Sequence, residues 1–152
     1  MNFLPDNIDQ YASDHSQKEP ELLQELFRET WQKALVPRMI SGHFQGRVLS
    51  MISKLVSPKT ILEIGTYTGY SALCLAEGMQ QNGKILTIDK NEELESFSKK
   101  YFEASTFNNQ IQQIIGNALE IIPTINEKFD LAIVDEAHKN NLKVVGHSHR
   151  PD

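Results

Sequence analysis

The stretch Glu63-Ile-Gly-Thr-Tyr-Thr-Gly-Tyr-Ser71 decides how this chain folds. It grows out of a short apolar run, Thr60-Ile-Leu-Glu-Ile64, and opens into an Ala- and Leu-rich segment from Gly69 to Met79, so it marks a strand-to-helix junction. A tight turn at Gly65 and a close approach of backbone to ligand near Gly69 both exclude a Cβ. Amides at the start of the following helix can receive a carboxylate or a phosphate. The spacing is G-x-x-x-G. It is not the G-x-G-x-x-G of a dinucleotide pyrophosphate site, which counts against NAD.

Downstream, short apolar runs and helices alternate. Gln81-Asn82-Gly83 makes a turn, Lys84-Ile-Leu-Thr-Ile-Asp89 a second strand, and Leu94, Phe97, Tyr101 and Ala104 mark the inner face of a helix. Ile111–Ile115 and Phe129–Val134 are two more strands, separated by a helical turn around residues 119–122. Continuous apolar strands, each followed by a helix, predict a parallel sheet covered on both faces. The pattern is β-α-β-α-β-α-β.

Upstream, the chain reads as helix. A weak helical segment lies between Asp6 and His15. Pro20 opens a second helix whose stripe is Leu22, Leu23, Leu26, Phe27, Trp31 and Ala34, stopped before Pro37. A third runs from about Gly42 to Val56 with Phe44, Val48, Ile52 and Leu55 on one face, where packing is the expected role. The organisation expected is therefore a helical extension over 1–57, a Rossmann-like half over 58–135, and a divergent polar tail over 136–152.

The 152 residues suit one domain, and a net charge of -5 without a basic run argues against nucleic acid and anionic lipid as partners. The single cysteine, Cys74, excludes an internal disulfide framework and suits a reducing compartment. No apolar stretch has membrane-helix length, and Met1-Asn2-Phe3-Leu4-Pro5 lacks a basic n-region. A cytoplasmic protein that neither enters nor binds a membrane is the expectation.

The strand ends carry the chemistry. Asp89 closes the second strand about 20 residues past the glycine loop, where an acid accepts ribose hydroxyls. Gly116-Asn117-Ala118 closes the third strand and Asp135 the fourth. A glycine pair alone fits a simple turn, and one acid at a strand end fits a helix cap. Four such signals in register fit a nucleoside ligand at the carboxyl rim of an open sheet.

Together with Arg38-Met-Ile-Ser-Gly-His-Phe-Gln-Gly46, Ile61–Ala72, Thr87-Ile-Asp89 and Phe129–Asp135, this series resembles the S-adenosylmethionine-dependent O-methyltransferases. It is most similar to their metal-dependent group, the catechol and caffeoyl-CoA O-methyltransferases, over roughly residues 20–139. The resemblance implies a class I methyltransferase fold. It implies that Glu63, Gly65, Thr66, Tyr67 and Ser71 surround the methionine part of S-adenosylmethionine, with Gly69 in the same loop and Met39 and Ser41 assisting. Asp89 would hold the ribose, Asn117 and Ala118 would border the adenine, and Asp135 would contact both Mg²⁺ and the region of the transferred methyl. The acceptor implied is a small hydroxylated molecule, catechol-like. A metal would lower the hydroxyl's pKa and a base would take its proton. The family places a lysine three residues after the metal aspartate; here His138 stands there and Lys139 follows, so either is the candidate base.

The family's remaining metal ligands come from a later strand. The chain is therefore expected to be a C-terminally truncated, cofactor-binding half, with His147 and His149 in a polar tail and the fourth strand left as an apolar edge inviting a homodimer or other self-association. The alternative is a non-catalytic cofactor-binding fragment or a module completed by a partner. A helicase-type ATPase is the third reading. Val134-Asp-Glu-Ala-His138 spells its acidic box, but Gly78-Met-Gln-Gln-Asn-Gly-Lys84 lacks the Ser or Thr of a phosphate loop and precedes a strand.

Overall fold

The computed structural model describes residues 5–134, so Asp135, His138, Lys139, His147 and His149 lie outside the described residues. The elements are α1 (Asp6–Asp14), α2 (Glu21–Lys33), α3 (Gly42–Val56), β1 (Thr60–Ile64), α4 (Tyr70–Ala76), β2 (Lys84–Asp89), α5 (Glu95–Ala104), β3 (Ile111–Ile115), α6 (Ala118–Ile121) and β4 (Leu131–Val134). Short 3-10 turns at Pro37–Met39, Glu92–Leu94 and Ile122–Thr124 complete the described chain.

The four strands form one parallel sheet in the order β3-β2-β1-β4. Register sets Ile61 beside Ile85 and Leu131, and Ile85 beside Ile111. Because side chains alternate along a strand, these residues share one face, and Leu62, Ile64, Leu86 and Ile88 share the other. The first face packs under α4 in a cluster of Ile61, Leu75, Ala76 and Ile85, reached by Leu49 of α3. The second is covered by Ala118, Ile121, Ile122, Ile125 and Phe129. Each fully buried aliphatic here contributes about 1.5–3 kcal/mol, which is why a parallel sheet forms despite its long crossovers. A third cluster joins Leu23 and Leu26 of α2 to Tyr70, Leu73, Tyr101 and Phe102, clamping the N-terminal helices onto α4 and α5. No helix among the described residues is long and apolar enough to cross a membrane.

Some local expectations fail. Ala104 is exposed and Phe102 takes the inner position on α5. Trp31 is half-exposed, and Ala34 lies just past α2 in extended backbone. The largest departure is α3. Gly46, Arg47, Ser50 and Ser53 are its buried residues, whereas Phe44, Met51 and Leu55 on the opposite side are 36%, 54% and 78% exposed. The polar side goes in because it meets polar partners and close backbone. Arg47 donates two 2.9 Å bonds to Glu77, Ser50 Oγ donates to the same carboxylate at 2.6 Å, and Ser53 Oγ donates to the Leu75 carbonyl at 2.6 Å. A Cβ on Gly78 would lie 2.2 Å from the Lys54 nitrogen. Gly78 is thus a packing glycine where α3 crosses the end of α4, and its place before β2 rules the 78–84 segment out as a phosphate loop.

Candidate functional site

The carboxyl ends of β1, β2 and β3 meet at one rim, stitched by backbone. The Gly65 amide donates to the Ile88 carbonyl at 2.8 Å and the Gly116 amide to the Asp89 carbonyl at 2.7 Å. Gly65 at φ +100° and Gly69 at φ +90° give the loop its reversals in a region that other residues enter only with strain. Gly69 N–H to the Thr66 carbonyl, 2.8 Å, closes the turn. Gly69 is also a close approach: a Cβ there would meet the Phe102 ring at 2.6 Å.

Asp89 is the hub. Its Oδ2 accepts the Tyr67 amide at 2.7 Å and its Oδ1 the Asn91 amide at 2.9 Å. Among the described residues each oxygen accepts one backbone N–H and keeps one lone pair, an arrangement that the two donors of a vicinal diol satisfy. Tyr67 itself sits at φ +47°, left-handed for a non-glycine residue. Its hydroxyl donates to the Val36 carbonyl at 2.9 Å, and burial raises its pKa. One residue therefore ties the acid to the Pro37–Met39 turn. Ile40 beyond that turn is buried in the cluster that Tyr67 packs against, with Met39 partly exposed and Ser41 half-buried on either side.

Glu63 is fully buried. Register places it against Thr87, whose hydroxyl donates to Oε2 at 2.6 Å and shares a 2.6 Å bond with Thr66 Oγ1. Thr66 thus spends its hydroxyl inward, and Ser71 is buried in the first turn of α4. Asn117 caps α6 by accepting the Leu119 amide at 3.1 Å, and Ala118 packs beneath the sheet. The described candidates from Glu63 to Asn117 so converge on one rim, with Met39 and Ser41 on the segment that Tyr67 anchors.

Two residues here were passed over by the sequence reading. Thr87 is the one polar residue inside the apolar run of β2, which was the available signal, and register sets it against Glu63. Thr68 is fully buried in the glycine loop, and its Oγ1 has no hydrogen-bond partner among the described residues. A buried hydroxyl of that kind calls for a partner. The donor set fits a nucleoside joined to an amino acid, with a carboxylate for two ribose hydroxyls and a second carboxylate deeper in the rim. It does not by itself fit a metal, since no three His, Cys, Asp or Glu side chains gather among the described residues. Cys74 takes no part. Burial pushes its thiol up to about 12, so it is inert packing.

Residues 13–146 match the family model described as O-methyltransferase. A catechol O-methyltransferase of Niastella koreensis is 27% identical over 138 residues, covering 88% of this chain and 62% of the relative. Caffeoyl-CoA O-methyltransferase 1 of Arabidopsis thaliana is 35% identical over 144 residues, 90% of this chain and 55% of the relative. Among solved structures, the SAH-bound methyltransferase of Podospora anserina superposes with a TM-score of 0.81 at 28% identity, covering 90% of this chain and 61% of that one. The chain thus spans a little over half the length of these relatives.

Proposed function

Since the chain belongs to the O-methyltransferase family, we propose that it binds S-adenosylmethionine at the rim of β1–β3 and serves methyl transfer to a hydroxyl of a small, catechol-like acceptor. The observation that carries the reading is the 2.7 Å bond from the Tyr67 amide to Asp89, which fixes the glycine loop against the acid. In this reading Asp89 holds the ribose, while Asn117 and Ala118 border the adenine. Glu63, Gly65, Thr66, Tyr67, Gly69 and Ser71 enclose the methionine part, with Met39 and Ser41 closing over it. When bound, the cofactor supplies a methyl on a sulfonium with a neutral leaving group. The chain's task is alignment, because holding the acceptor oxygen in line with that methyl supplies most of the acceleration. Asp135 is the residue proposed for Mg²⁺, and His138 or Lys139 for taking the acceptor's proton, all by family resemblance.

The second reading is cofactor binding without turnover. Incubating the folded chain with S-adenosylmethionine, Mg²⁺ and a panel of catechols separates the two. The enzyme reading predicts S-adenosylhomocysteine above the no-acceptor control, and cofactor binding with no product leaves only the second. Self-association through β4, which pairs only with β1 among the described residues, is part of the proposal too.

A further inference from the structure

The glycine loop carries two unfavourable features within a single turn. Thr66, Tyr67, Thr68 and Gly69 form that turn, closed by the 2.8 Å bond from the Gly69 amide to the Thr66 carbonyl. Tyr67 takes its first central position at φ +47°, where a positive φ favours glycine over any side chain. Thr68 takes the second, fully buried, and its Oγ1 has no hydrogen-bond partner among the described residues. The neighbouring hydroxyls are engaged, Thr66 with Thr87 at 2.6 Å and Thr87 with Glu63 at 2.6 Å. A hydroxyl shut away from water without an acceptor destabilises the conformation that buries it. Valine has the same branched shape and lacks the hydroxyl, so packing alone does not call for threonine here.

We propose that Thr68 is a positioning residue that sets the affinity of the rim, because its dry hydroxyl biases the empty loop toward an open turn that ligand binding closes. Opening relieves both features at once: Thr68 reaches water and Tyr67 returns to negative φ. The bonds that oppose opening pass through Tyr67, whose amide meets Asp89 Oδ2 at 2.7 Å and whose hydroxyl meets the Val36 carbonyl at 2.9 Å. Asp89 is also the acid proposed for the ribose. A ligand whose hydroxyls fill its remaining lone pairs fixes the carboxylate in place, and through it the Tyr67 amide. Closed turn and filled rim therefore favour each other. The apparent affinity is the intrinsic one scaled by the fraction of chains with the turn closed. Opening also lets go of the segment that carries Met39 and Ser41, which gives a spent cofactor its way out. The inference rests on the rim being the cofactor site, so one arm of its test uses no ligand.

Hydrogen exchange and calorimetric titration of the full chain test it, with Thr68→Val and Thr68→Ser beside the parent. In the parent without ligand, the Tyr67 and Gly69 amides exchange faster than those of β1, and saturating S-adenosylhomocysteine slows them roughly tenfold or more. Thr68→Val slows the same amides with no ligand present and raises the melting temperature by about 2–4 °C. It also tightens S-adenosylhomocysteine binding, by up to roughly tenfold. Thr68→Ser keeps the hydroxyl, so its loop exchange and affinity stay within about twofold of the parent. A purely structural role for Thr68 moves the melting temperature and leaves affinity where it was. The proposal is overturned if the parent's loop amides exchange as slowly as β1, or if Thr68→Val binds no tighter than the parent. It is equally overturned if Thr68→Val melts lower, which means that the hydroxyl already has a partner in the closed turn. A parent that binds no S-adenosylhomocysteine overturns the rim reading instead, and the ligand-free exchange still decides whether Thr68 opens the turn.

Discussion

Replacing Asp89 by Asn preserves shape and removes one acceptor oxygen. In the folded protein Oδ1 and Oδ2 each accept a backbone N–H, from Asn91 at 2.9 Å and Tyr67 at 2.7 Å. The amide nitrogen of Asn must face one of these donors, so one bond to a charged acceptor is lost, at about 1.5–3 kcal/mol. Two ribose hydroxyls also exchange a carboxylate for an amide. The loss on the ligand side is about 1–3 kcal/mol, a roughly five- to 150-fold weaker affinity for S-adenosylhomocysteine. Isothermal titration calorimetry reads the affinity and calorimetric melting the stability. Asp130→Asn is the matched control. Asp130 Oδ2 accepts the Lys59 and Thr60 amides at 2.8 and 3.0 Å at the opposite rim of the sheet, and those bonds hold its carboxyl below the usual range. Both amides meet one oxygen there, which the Asn amide oxygen can replace, and the site is far from the proposed ligand, so the variant changes the melting temperature little and leaves affinity unchanged. The reasoning is refuted if Asp89→Asn binds as the parent does, or if both variants lose affinity equally.

Gly69→Ala places a Cβ at φ +90° and 2.6 Å from the buried Phe102 ring, so strain and overpacking add to about 2–4 kcal/mol of destabilisation, visible in urea unfolding. Burial alone would raise Glu77's pKa, but hydrogen bonds from Arg47 and Ser50 outweigh it and hold the carboxyl low. Glu77→Gln leaves the buried Arg47 uncompensated and costs about 3 kcal/mol, while Arg47→Met with Glu77→Leu costs markedly less, as a double-mutant cycle in urea will record. Glu29 is held down to about 2 by Lys100, Lys33 and Tyr101. Its contribution is therefore complete above the ordinary carboxylate range and is lost as pH falls from about 4.5 toward 2; melting curves of the parent and Glu29→Gln differ at pH 6 and converge at the acid end.

The sheet and the glycine loop were legible because their signals are local. An apolar run of strand length, a glycine at a reversal and an acid at a strand end each declare themselves within a few residues. The reversed face of α3 was not. Periodicity says that Phe44, Val48 and Leu55 share a side, but not which way that side turns. The direction is set by Arg47 finding Glu77 across 30 positions and by Gly78 letting α3 come close. Thr87 was obscured for the same reason, because it matters only through the register that sets it against Glu63. Tyr67 was named with its loop, but its bridge from Asp89 to Val36 depends on the fold. Phe102 and not Ala104 turns inward, where its ring fills the space that a side chain at Gly69 would need.

Calorimetric titration of the folded chain with S-adenosylhomocysteine, and in parallel with ATP, addresses the cofactor rim most directly. One site per chain for S-adenosylhomocysteine and no heat for ATP is the predicted result. Saturable ATP binding, or no binding of S-adenosylhomocysteine by protein that melts cooperatively, contradicts it.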